Sequence, residues 1–108
     1  MAGDDSNLNE EFTLQEHFFN WNKEKNLANI RKHGVPFKEA ATVFLDPYAT
    51  LISDDIHSEA EERYIVIGIS KKLNMLMVCH CYRNEGEIVR LISARMATKE
   101  EQKLYRGE

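Results

Sequence analysis

A chain of 108 residues, 43% hydrophobic and 30% charged, is long enough to close one compact domain around a real core, and its composition excludes a disordered or collagen-like polymer. Its two cysteines, Cys79 and Cys81, stand one residue apart and cannot staple a secreted disulfide scaffold, and no apolar run approaches the roughly 20 residues that cross a bilayer. The net charge of −4 is unevenly spread, because Asp4, Asp5, Glu10, Glu11 and Glu16 give residues 1–16 a charge of −5 and leave residues 17–108 at +1, too little for a general polyanion binder.

Residues 1–16 read as an acidic, loose tail ahead of a single domain over 17–108. Acids stand at the amino terminus where a secretory signal would carry lysines, so a cytoplasmic protein without a membrane partner is expected. The aromatic run His17 to Trp21 suits a short strand. Asn22 then serves as an N-cap for a first helix over Lys23 to His33, with Leu27 and Ile30 as an apolar pair, positive charge in its last turn and Gly34 as the stop. Phe37, Ala40, Ala41 and Phe44 form the stripe of a second helix that Asp46-Pro47 ends. Ala49 to Ile52 is a short strand, Asp54 to Arg63 a polar connection, and Tyr64 to Ile69 a buried strand. Met75, Met77, Cys79 and Cys81 alternate with Leu76, Val78, His80 and Tyr82 on the next strand. Arg83 to Gly86 is a hairpin turn into a strand over Glu87 to Ser93, and Thr98-Lys99-Glu100-Glu101 is a capping box opening a last helix through Tyr105. The order β-α-α-β-β-β-β-α predicts an α+β fold, a mostly antiparallel sheet of four to five strands with two N-terminal helices and a C-terminal helix.

Alternation sends the thiols of Cys79 and Cys81 to one face and the imidazole of His80 to the other, which argues against a metal site; no phosphate-binding glycine loop, serine elbow or zinc-protease motif is present. The expectation is therefore an activity without cofactor. Basic groups and histidines gather near element ends: Lys32 and His33 closing the first helix, His57 and Arg63 flanking the polar connection, Arg90 in the last strand, and Ser93-Ala94-Arg95 leaving it. Arg90 lies between Ile88 and Ile92, where a guanidinium needs an acidic partner, with the glutamates of residues 59–62 as candidates, or an anionic ligand.

Trp21-Asn22-Lys23, Asn29-Ile30-Arg31-Lys32-His33-Gly34-Val35 and Phe37 to Phe44 with Asp46-Pro47 resemble the BrnT family of toxins. His57-Ser58-Glu59-Ala60-Glu61-Glu62-Arg63-Tyr64 with Gly68, and Ile92-Ser93-Ala94-Arg95-Met96-Ala97 with Glu101 and Tyr105, extend the resemblance in the same order over residues 18–106. Asn20 stands where that family often has Glu, and Met96 where Lys is frequent. The resemblance implies a RelE-like fold, toxicity through RNA cleavage, and a BrnA-type antitoxin as partner, DNA being met only through the toxin–antitoxin complex.

A RelE-like ribonuclease is expected to work without metal, the RNA 2′-hydroxyl attacking the adjacent phosphorus. That reaction needs a proton acceptor, a proton donor and cations around a charge-gathering phosphorane. Arg63, Arg90 and Arg95 are the candidates for the phosphate, because a guanidinium fork meets phosphate oxygens bidentately. Histidine exchanges protons near neutral pH, which makes His57 and His33 the acid–base candidates. Lys32, Ser93 and Tyr105 complete the set as substrate contacts. A second reading fits the same residues: a non-catalytic protein-binding module or inactive toxin relic that acts through its antitoxin complex.

Overall fold

The computed structural model describes residues 8–57 and 60–105. Strands β1 (Asn9–Leu14) and β2 (His17–Asn22) lead into helix α1 (Lys23–His33), a short α2 (Phe37–Ala41) and a 3-10 turn over Thr42–Leu45. Strands β3 (Thr50–Ser53), β4 (Tyr64–Ile69), β5 (Met75–Arg83) and β6 (Ile88–Met96) follow, and helix α3 (Lys99–Gln102) closes the order. The six strands form one sheet in the order β1-β2-β6-β5-β4-β3, antiparallel throughout except for the parallel pair β2/β6. The α+β class and its mostly antiparallel sheet are as the sequence predicts, with one strand more. No described helix is long and apolar enough to cross a membrane.

The extra strand corrects the expectation of a loose tail over residues 1–16. Asn9–Leu14 pairs along its whole length with β2, while residues 1–7 lie outside the described residues. Glu10, Phe12 and Leu14 turn inward. The Glu10 carboxylate accepts the Trp21 indole N–H at 2.6 Å, and the Phe12 ring lies 5.8 Å from Trp21 and 6.4 Å from Phe19. An acid at an inward position hides the period-two pattern, and the indole donor is what makes that acid tolerable.

The helices cover one face of the sheet. Trp21, Phe37, Val43, Leu76, Val78, Leu91 and Ala94 are buried there. Helix α1 starts where Asn22 Oδ1 accepts the Lys25 N–H at 3.0 Å and stops at Gly34, whose φ of 73° is left-handed and whose N–H reaches the Ile30 carbonyl at 2.8 Å. The Leu27–Ile30 pair is not its inner face; Leu27 is 54% exposed, and the buried residue is Asn29. Strand β2 follows β6 only from Phe18 to Asn20 and then leaves it. Asn29 takes over as a strand would, its amide donating to the Ala94 carbonyl (2.8 Å) and accepting the Ala94 N–H (3.1 Å), with a further bond to the Val35 carbonyl at 2.9 Å.

The register of β5 against β6 slips between Cys79 and His80, which face Ser93 and Leu91 respectively, so Ile92 is an extra residue in β6. Such a bulge turns the strand by one position. Leu91 and Ala94, three apart, therefore both enter the core. Arg90 and Arg95, five apart and on opposite faces of a regular strand, both come to the face that no helix covers.

Candidate active site

The uncovered face of β4, β5 and β6 carries Ile65, Met77, Cys79, Ile92, Ser93 and Arg95, and the connection over residues 54–63 folds beside it. Between them lies an open cleft of about 290 Å³ that also takes in Asp54, His57 and Arg63. Four of the eight residues expected from the sequence thus share one cavity: His57, Arg63, Ser93 and Arg95.

His57 ends a 3-10 turn over Asp55–His57, and its Nδ1 lies 3.1 Å from both carboxylate oxygens of Asp54. A carboxylate only accepts, so this nitrogen carries the proton and leaves Nε2 as the basic atom. Asp54 is 8% exposed and its own N–H donates to the Arg63 carbonyl at 2.9 Å, which ties the two ends of the connection together. Arg95 Nη1 and Nη2 donate to the two oxygens of Glu101 at 2.8 and 2.9 Å, and Nη1 also reaches the Met96 carbonyl at 3.2 Å. The bond from Arg95 and the Thr98 backbone N–H hold the Glu101 carboxyl at about 2. Two guanidinium N–H groups, on Nε and Nη2, remain for a ligand. Burial pushes the Cys79 thiol up, so at neutral pH it is a small apolar wall of the cleft.

Arg90 lies apart from this cleft, in a neighbouring hollow with Lys25, Glu61, Arg63 and Arg83. Its Nη1 donates to Asn9 Oδ1 at 3.2 Å and Asn20 Oδ1 at 3.4 Å. The expected glutamate partner is taken instead by Arg83, which binds Glu61 with both Nη atoms. Lys32 and His33 do not line the cleft; they close α1, with Lys32 exposed and His33 half-buried. Tyr105 is 7% exposed and donates its hydroxyl to Asp46 Oδ2 at 2.7 Å, the carboxylate that also accepts the Ile69 N–H. Burial and that bond push the hydroxyl up to about 12, so it anchors the chain after α3 as a permanent donor.

Asp54, Glu101, Lys25 and Arg83 were not among the residues expected. Asp54 stands three before His57 and Glu101 three after its own N-cap, and each spacing is visible in the sequence. The pairing of Glu101 with Arg95 is not, because the chain turns between them. Among the described residues no three His, Cys, Asp or Glu side chains converge to hold a metal ion.

The family described as "Ribonuclease toxin, BrnT, of type II toxin-antitoxin system" matches residues 21–101. The chain is also similar to the ribonuclease toxin BrnT of Brucella abortus, known from a crystal structure, at 25% identity and a TM-score of 0.56, over 73% of this chain and 94% of that one. No curated protein matches.

Proposed function

The chain belongs to the BrnT family of ribonuclease toxins of type II toxin–antitoxin systems, and on that premise we propose that it cleaves RNA internally without a metal, by attack of a 2′-hydroxyl on the adjacent phosphorus. The observation that carries this reading is the convergence of an Asp54-oriented His57 with Arg63, Ser93 and Arg95 in one open cleft. His57 Nε2 takes the 2′-hydroxyl proton as the 2′-oxygen bonds to phosphorus, and the bond from phosphorus to the 5′-oxygen breaks. The protonated imidazole is charge-compensated by Asp54, and it supplies the proton the leaving 5′-oxygen needs. Arg95, held from behind by Glu101, and Arg63 face the phosphorane oxygens, where negative charge grows. Ser93 offers a hydroxyl to a non-bridging oxygen or to a ribose.

The products are a 2′,3′-cyclic phosphate and a 5′-hydroxyl. Purified chain incubated with RNA in EDTA is expected to give those ends, with His57→Ala about 10² to 10⁴ slower. Fragments ending in 3′-hydroxyls, or cleavage that EDTA abolishes, would refute the mechanism. The family places an antitoxin beside this toxin, and we assign it to the BrnA type; co-expression with such a protein is expected to yield a stable complex that no longer cuts RNA.

A further inference from the structure

The second hollow, of about 140 Å³, adjoins the cleft. Arg63 and Ile92 border both. Its cationic heads come from three separate elements: Lys25 from the first turn of α1, Arg83 from the end of β5 and Arg90 from β6. Like charges gathered over a floor formed by Leu91 and the buried Cys81 repel unless an anion lies among them. Among the described residues the anion is Glu61, bound by both Nη atoms of Arg83. That bond holds the Glu61 carboxyl below the usual carboxylate range. One carboxylate does not balance the set. Among the described residues Arg90 meets only the neutral amide oxygens of Asn9 and Asn20, which orient the guanidinium without cancelling its charge.

We propose that the hollow of Lys25, Arg83 and Arg90 is a second phosphate subsite, which takes a backbone phosphate flanking the one in the cleft and which the Glu61 carboxylate fills until RNA displaces it. The proposal rests on the ribonuclease reading of the cleft. RNA carries a phosphate at every nucleotide, so a strand seated on His57 and Arg95 must bring its next phosphate out beside the cleft, and Arg63 is the wall between the two places. Two guanidinium forks suit phosphate oxygens, and a carboxylate is the side chain that best imitates them. Glu61 is 40% exposed, so water is at hand for its carboxylate when RNA takes its place on Arg83.

The test measures binding of a fully 2′-O-methylated oligonucleotide, which has no attacking hydroxyl, to the full chain over a range of salt. Lys25→Ala and Arg83→Ala are each expected to bind about tenfold more weakly at low salt, with a salt dependence flatter by about 0.7 per lost contact. Arg83→Lys, which keeps the charge, should retain most of the slope and separates lost charge from lost folding. Glu61→Gln is expected to bind RNA several-fold more tightly. Unchanged slopes in the alanine variants, or Glu61→Gln binding no better than wild type, would overturn the subsite. So would a hollow that ignores RNA while an aspartate-rich peptide binds wild type and not Arg83→Ala, which would make it a protein-docking site. Cleavage of the all-ribose oligonucleotide by the wild-type chain is followed in parallel. No cleavage with variant-sensitive binding would fell the ribonuclease reading and keep the subsite; cleavage with insensitive binding would do the reverse.

Discussion

His80 is fully buried on the helix-covered face, its ring 4.9 Å from Phe44, 6.1 Å from Tyr64 and 5.3 Å from Tyr82. Burial pushes the imidazole down to about 4, although its bond to the Val78 carbonyl pulls the other way. The folded state thus resists a proton that the unfolded chain accepts near 6.5, and stability must fall as pH drops from about 6.5 towards 4. Thermal midpoints measured from pH 7 to 5 should show the wild type losing about 2 kcal/mol more than His80→Phe, which keeps a ring but cannot titrate. A variant with the same pH slope as wild type would place the acid sensitivity elsewhere. Glu101 works in another window. Its carboxyl, held at about 2 by Arg95 and the Thr98 N–H, stabilises the fold above about 4.5 and loses that contribution as pH falls from there towards 2. Glu101→Gln is therefore expected to lower the midpoint at pH 7, to approach wild type near pH 2, and to slow RNA cleavage by freeing Arg95 to wander. A midpoint difference that stays constant across that range would show that the pair does not act through ionisation. At this scale the sequence was informative about residue type: His57, Arg63, Ser93 and Arg95 do converge. It misplaced the partners, because a glutamate of residues 59–62 was expected on Arg90 while Glu61 binds Arg83, and Glu101 reaches Arg95 only because the chain turns between them.

Strand β6 carries the site because of what interrupts it. A regular strand would set Arg95 opposite Arg90, and nothing in the residue pattern announces Ile92 as the extra one; the bulge follows from Leu91 and Ala94 both filling core space. The neighbouring helix is pinned to the same place by a side chain. Asn29→Ala would strand the Ala94 N–H and the carbonyls of Ala94 and Val35 without partners, in a site only 6% exposed. Losing such buried bonds should cost about 3 kcal/mol, read from denaturant midpoints, and a loss below about 1 kcal/mol would mean that water replaces the amide. Gly68 sets the distance on the other side of the core. A methyl there would stand 2.7 Å from Val43 Cγ1 and 3.0 Å from the Ala49 side chain, so Gly68→Ala should destabilise by about 1 to 3 kcal/mol. The bounds of α1, its glycine stop, strand β4 and the Thr98 capping box were legible, since each is written in local spacing or cap chemistry, whereas α2 gives way to a 3-10 turn after Ala41 and α3 ends at Gln102, short of the expected Tyr105. Long-range substitutions such as an amide doing the work of a strand leave no local trace. Leu27, which pairs with Ile30 in the helical spacing, lies 54% exposed, and the polar Asn29 is the residue of α1 that is buried.

For the whole molecule, the least legible part was the first strand, which lies before the segment matched by the family and yet covers two fully or nearly buried rings of the core, Trp21 and Phe19. An acidic tail acting only as a competitor for a cationic surface would predict that a chain beginning at His17 is as stable as the full one and holds RNA more tightly at low salt. The pairing of Asn9–Leu14 with β2 predicts otherwise. Beginning the chain at His17 strips Phe12 from Trp21 and Phe19, leaves the indole N–H without Glu10, turns β2 into an unprotected edge, and takes Asn9 from Arg90. The expected outcome is a midpoint lower by several degrees, stronger binding of a hydrophobic dye, and self-association that grows with protein concentration. A chain lacking only residues 1–7 keeps every one of those contacts. It has lost Asp4 and Asp5, so a gain in RNA affinity that it shows while melting with the full chain reports on charge and must fade as salt rises. If both truncations melt with the full chain, β1 contributes nothing to the core, and the covering of Trp21 must come from β2 and α2.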